Sequence, residues 1–151
     1  MPGTRRDGDR CSCALAVSTR SGYAYNEEAF QYLLGVQRRR SQRSDRPFLL
    51  LLFDLRHPSG LPARIDAALA RKLFAGLWRA LREADVIGWY REEQIAGAVL
   101  TDLGTGPCAD VSEVIMRRVQ VTLSETLPQD IARRLQMRVC SLQPRLLSAL
   151  S

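Results

Sequence analysis

Phe48-Leu49-Leu50-Leu51-Leu52-Phe53-Asp54-Leu55 is the stretch on which the fold turns. An apolar run without alternation belongs to a strand covered on both faces, because neither side of it meets water. It is far shorter than the roughly 20 residues a helix needs to cross a bilayer. The run is therefore a central strand and not an anchor, and Asp54 puts a carboxylate at its polar end, where chemistry can sit.

Upstream, Pro47 separates the strand from a helical pattern. From Asn26, a candidate N-cap with Glu27 and Glu28 in the first turn, Ala29, Phe30, Leu33, Leu34 and Val36 recur at spacings of three and four. Residues 1–21, rich in Arg, Gly, Ser and Asp without a period, are expected to form a flexible basic tail, leaving 22–151 as one domain. Downstream of the turn His57-Pro58-Ser59-Gly60-Leu61-Pro62, Ile65, Leu69, Leu73, Leu77 and Leu81 fall four apart and predict a helix from about Ala63 to Ala84. Val86–Tyr90 and Ile95–Thr101 read as a hairpin around Arg91-Glu92-Glu93-Gln94. Gly104-Thr105-Gly106-Pro107 ends it, a helix is expected from about Val111 to Leu127, and a last strand from Leu135 to Leu142. The order closes naturally as an α/β (α+β) domain, a ferredoxin-like βαββαβ sheet with helices on one face, preceded by an N-terminal helix.

The 151 residues, 46% hydrophobic and 25% charged, suffice for one buried core and are few for two. The charge of +6 is carried almost wholly by arginine, with Lys72 the only lysine. Arg38, Arg39, Arg40, Arg43 and Arg46 are the densest group. Guanidinium groups grip phosphates in pairs of hydrogen bonds, so a nucleotide or nucleic acid is a physically sound partner. A solvated helix end complementing the dipole is the simpler reading, and no aromatic residue interleaves the run as a single-strand binder requires. Cys11, Cys13, Cys108 and Cys140 lack the two close pairs of a zinc site, and His57, the single histidine, has no nucleophile near it in sequence. With no secretory or membrane segment in view, a cytoplasmic location is expected.

Leu51-Leu52-Phe53-Asp54-Leu55-Arg56-His57 resembles the strand-end metal motif of GGDEF diguanylate cyclases. Asn26-Glu27-Glu28-Ala29-Phe30 is similar to the helix start that precedes the catalytic core in that family, Val86-Ile87-Gly88-Trp89-Tyr90 leads into the signature turn, and Leu135–Leu142 resembles the closing strand. The resemblance spans roughly residues 20–143 and lies in the joint order of weak motifs. It implies the GGDEF-type sheet, with substrate phosphates over the hairpin and two carboxylates holding Mg2+ or Mn2+.

The same resemblance implies a degenerate member. The signature turn reads Arg91-Glu92-Glu93-Gln94-Ile95: Arg91 and Glu92 stand where two glycines let the backbone approach GTP, and Gln94 replaces an acid. Arg56 stands where the family carries a second acid, Trp89 where an arginine usually precedes the tyrosine, and the guanine-recognising Asn and Asp have no clear counterpart, the aligned position being Ala67 with Asp66 beside it. Active members need two domains face to face, each carrying one GTP. No catalytic residue set remains, and cyclase activity is not expected.

Asp54 and Glu93 survive at the metal positions, which permits Mg2+ without requiring it. Their alternative roles are a turn cap for Asp54 and a surface pair with Arg91 or Arg56 for Glu93, worth about 0 to 1 kcal/mol. Arg82-Glu83-Ala84-Asp85 has the R-x-x-D spacing of the family's product-inhibition site, so Arg82 and Asp85 are candidate cyclic di-GMP contacts. An i,i+3 ion pair at a helix end is the alternative. Three functions stand: a non-catalytic regulatory domain, acting as a cyclic di-GMP receptor or through a protein partner or homodimer; a residual metal-dependent nucleotide-binding enzyme or cyclase; and, least favoured, a basic nucleic-acid binder.

Overall fold

The computed structural model describes residues 15–18, 23–82, 84–101 and 108–142. Along the chain these form β1 (Leu15–Ser18), β2 (Tyr23–Tyr25), α1 (Glu27–Ser44), β3 (Phe48–Arg56), β4 (Pro62–Ala63), α2 (Ala67–Ala80), β5 (Val86–Arg91), β6 (Ile95–Leu100), α3 (Cys108–Thr126), α4 (Gln129–Arg134) and β7 (Leu135–Leu142). One mixed sheet runs β1-β2-β5-β6-β3, with β7 on the far edge of β3.

β3 is central because its whole length is paired. β6 lies antiparallel to it from Leu49↔Leu100 to Asp54↔Ile95, and β7 from Phe48↔Leu142 to Leu55↔Leu135. Leu55 also pairs with Ala63, so β4 sits on the β6 side, just past the hairpin turn. Alternation splits the run between two cores. Leu49, Leu51, Phe53 and Leu55 pack with Leu73, Phe74 and Leu77 of α2 and with Val119 and Leu123 of α3. Phe48, Leu50 and Leu52 pack on Phe30 and Leu34 of α1. The expectation of helices on one face of the βαββαβ unit holds for α2 and α3, while α1, the preceding helix, covers the opposite face because its apolar stripe matches the even positions of β3.

Asn26 caps α1, its side chain accepting from the Ala29 N–H at 2.9 Å. Asp66 does the same for α2 through the Leu69 N–H at 2.8 Å. That cap starts α2 at Ala67, not near Ala63, which belongs to β4. Ile65 is buried but precedes the helix, so periodicity alone overran its start. α3 opens at Cys108, earlier than the expected Val111, and α4 is a further short helix absent from the sequence reading.

Residues 15–18 lie inside the expected tail yet form β1, paired with β2 from Leu15↔Tyr25 to Ser18↔Tyr23. The rest of the tail, with Cys11 and Cys13, and the Gly104–Pro107 cluster lie outside the described residues. β2 runs parallel to β5 with Tyr25 against Gly88. A Cβ at Gly88 would stand 2.6 Å from the Tyr25 carbonyl oxygen, so this approach requires glycine. Among the described residues, no helix is long and apolar enough to cross a membrane.

Candidate functional site

Antiparallel pairing of β5 and β6 places the signature turn beside the end of β3. The Gln94 N–H donates to the Arg91 carbonyl at 3.0 Å, closing the turn, and Glu93 takes the left-handed conformation with φ 61°. The Ile65 N–H donates to the Glu93 carbonyl at 2.8 Å, tying the segment after β4 to the turn. Asp54 stands opposite Ile95. A cleft of about 700 Å³ results, lined among others by Asp54, Arg56, Arg64, Glu93 and Arg138. All five signature positions, Arg91, Glu92, Glu93, Gln94 and Ile95, line it as well.

The structure thus brings together the two carboxylates that the sequence singled out for metal, and it gives each an arginine. Arg56 Nε lies 2.9 Å from Asp54 Oδ2; the two alternate along β3, so both side chains leave the same face of the sheet. Arg64 donates to Glu93 Oε2 from Nε at 3.0 Å and also from its terminal nitrogen. The partner of Glu93 is therefore Arg64, not Arg91 or Arg56, and Asp54 pairs with Arg56 instead of capping a turn. Among the described residues, no group of three or more His, Cys, Asp or Glu side chains is placed to hold a metal ion. Asp54 and Glu93 are the carboxylates that could contribute to one, after displacing two guanidinium groups.

The turn amide is also engaged. The Glu92 N–H donates to Glu27 Oε1 at 2.7 Å, so a carboxylate of this chain sits on a backbone donor at the position where the family resemblance puts approaching phosphate. Gln31 Nε2 donates to the Tyr90 carbonyl at 2.9 Å, holding α1 against the hairpin. Trp89 points away from the cleft: it is buried, and its ring meets Phe74 edge-on at 5.2 Å between centroids. Sequence reasoning missed Arg64 and Glu27 because both partners are distant along the chain. Asp66, beside Ala67 at the aligned guanine position, is used as a helix cap.

The R-x-x-D pair sits elsewhere, between α2 and β5. The Arg82 backbone N–H donates to Asp85 Oδ2 at 2.8 Å, and the Asp85 N–H returns to the Arg82 carbonyl at 3.0 Å. The Arg82 guanidinium donates to the Thr101 carbonyl at 3.0 Å. Asp85 is buried, and burial pushes its carboxyl above the ordinary aspartate range, against the opposing pull of Arg82 and the Thr101 backbone. Asp85 thus faces the fold, while Arg82 is exposed; Glu83 lies outside the described residues.

This architecture, a βαββαβ sheet with a helix on its second face and a cleft beside the hairpin turn, is the fold of GGDEF domains. The chain is similar to the FimX GGDEF domain from Pseudomonas aeruginosa, with a TM-score of 0.59 and 20% identity over 85% of this chain and 83% of that one. It also superposes on the coiled coil and GGDEF domain of DgcB from Caulobacter crescentus in complex with c-di-GMP, with a TM-score of 0.61 and 12% identity over 95% and 78%. The diguanylate cyclase SiaD from Pseudomonas aeruginosa, in complex with its activator SiaC, gives a TM-score of 0.53 and 15% identity over 92% of this chain and 54% of that one. No protein-family model and no curated protein matches the sequence.

Proposed function

We propose that this chain is a degenerate GGDEF-type regulatory domain of cyclic di-GMP signalling, without cyclase activity, working in the bacterial cytoplasm through cyclic di-GMP or a protein partner. One observation carries the loss of catalysis: Asp54 is paired with Arg56 and Glu93 with Arg64. Two guanidinium groups occupy the carboxylates a catalytic metal would need, and a divalent cation would have to displace both while meeting their repulsion. The side chains of Arg91 and Glu92, where close backbone approach calls for glycine, add to the argument.

A receptor role for Arg82 is supported by its exposed guanidinium and by the c-di-GMP carried by the DgcB domain. A protein partner fits the complex of SiaD with SiaC. Incubation of the purified chain with GTP and Mn2+ is the test of the first part. No cyclic product is expected; a product that Glu93→Gln removes would overturn the proposal and establish the residual metal-dependent enzyme.

A further inference from the structure

At the opposite end of the sheet from the hairpin turn, the C-terminal end of α1, the start of β3 and the end of β6 enclose a second groove of about 580 Å³. Among the described residues, Gln37, Arg40, Arg43, Ser44, Arg46, Pro47 and Thr101 line it, and these bring three guanidinium groups and no carboxylate. Arg40, Arg43 and Arg46 are exposed, and among the described residues none of the three is held by an ion pair or hydrogen bond of its side chain. Arg82 borders the same groove, because its guanidinium donates to the carbonyl of Thr101.

The local backbone fixes this arrangement. Arg40 and Arg43 are three apart on α1 and share one helix face. Asp45 ends the helix in the left-handed conformation with φ 56°, and the buried Ser41 hydroxyl donates to the Arg46 carbonyl, which turns Arg46 back toward the groove. A helix C-terminus alone disfavours anions, with a partial charge of roughly −0.5. Three full positive charges outweigh it, and none of the described lining residues is acidic.

We infer that this groove binds phosphodiester anions, with Arg40, Arg43 and Arg46 gripping the phosphates beside Arg82, and with Asp85 as a positioning residue that holds the Arg82 backbone without touching ligand. Guanidinium forks match phosphate oxygens in bidentate geometry, and the open groove, with no aromatic side chain among its described lining residues, suits phosphate contact better than base stacking. The chemistry is shared by a cyclic dinucleotide and by a nucleic-acid backbone. For the cyclic dinucleotide, the inference rests on the receptor part of the proposed function and moves the weight of the site from Asp85 to α1.

Titration of the full chain with cyclic di-GMP, with a short DNA duplex and with polyglutamate, at near-physiological and at raised salt, tests it. Binding of a phosphodiester is expected to weaken at least tenfold in Arg40→Ala/Arg43→Ala, to weaken with salt, and to persist in Arg64→Ala, which alters only the hairpin cleft. Cyclic di-GMP binding assigns the small ligand; duplex binding alone assigns the nucleic-acid backbone. If cyclic di-GMP binding is lost in Arg82→Ala but unchanged in Arg40→Ala/Arg43→Ala, the receptor reading stands and this inference falls. No binding of either phosphodiester, or equal binding of polyglutamate, also overturns it. A melting temperature within a few degrees of the parent protein confirms that the exposed substitutions leave the fold intact.

Discussion

Glu27 Oε1 accepts the backbone N–H of Glu92 at 2.7 Å, joining the first turn of α1 to the tip of the hairpin 65 residues further on. The contact makes a first-turn acid serve a second element: Glu27 complements the α1 dipole and also satisfies a turn donor. It links the sequence of one helix start to the shape of the cleft beside the turn.

Removing that carboxylate is expected to loosen the turn more than the protein. In Glu27→Ala the Glu92 amide loses its acceptor, and stability should fall by about 1 kcal/mol, the usual worth of one such bond. Amide hydrogen exchange is the informative readout. Exchange at Glu92 should rise while the amides of β3 and β6 remain protected; unchanged exchange at Glu92 would mean the bond has no weight in solution.

Glu93 presents two opposed effects at one residue. Its left-handed backbone, φ 61°, costs a residue with a Cβ about 1 to 2 kcal/mol that glycine does not pay. Its pair with Arg64 is largely exposed and worth only about 0 to 1 kcal/mol. Glu93→Gly should therefore leave the chemical-denaturation midpoint unchanged or raise it, whereas Glu93→Val, β-branched and without the ion pair, should lower it. A clear loss in the glycine variant would show that the Arg64 contact outweighs the strain.

How far this could be read from the sequence depends on the range of the interaction. The strand at Phe48, the helix cap at Asn26, the hairpin around Arg91–Gln94 and the closing strand at Leu135 are set by local pattern, and the structure has them at or within a residue or two of the expected places. β4 and α4 are too short to carry a period, and β1 is two-sided only once β2 lies beside it. The placing of Asp54 and Glu93 at one site came from the family resemblance, and both line one cleft. Their arginine partners did not, because Arg64 reaches Glu93 across 29 positions through a tertiary approach that no local spacing encodes. Asp85 illustrates the same limit: the motif was visible, but its burial and its backbone hydrogen bond with Thr101, just past the end of β6, belong to the tertiary structure.

That burial gives a pH dependence of definite sign. The folded-state pKa of Asp85 is raised above its unfolded value of about 3.9, so the folded protein holds this proton more tightly than the unfolded chain. The associated stability is fully present below the unfolded pKa and is lost as pH rises through the folded pKa. Asp85→Asn keeps an oxygen for the Arg82 N–H and cannot ionise. The stability of the parent protein relative to this variant should therefore decline from acid conditions toward neutrality, in denaturation series at matched pH. A flat difference would place Asp85 in a solvated environment.

The arginine pairs at the cleft lead to a gain-of-binding prediction. If Arg56 and Arg64 are what keep a divalent cation from Asp54 and Glu93, the parent protein should show no shift in melting temperature on adding Mn2+ in place of a matched monovalent salt. Arg56→Asp/Arg64→Ala removes both guanidinium groups and adds a third carboxylate on the Asp54 face of β3, converting a neutralised cluster into an oxygen-rich one of the kind that Mg2+ and Mn2+ favour. Mn2+ should then raise the melting temperature of that variant, since a ligand bound only by the folded state stabilises it in proportion to the logarithm of its concentration above Kd. Adding Glu93→Gln should diminish the shift. A shift of equal size in the parent protein would show that the guanidinium groups do not guard the site and would favour the residual metal-dependent enzyme.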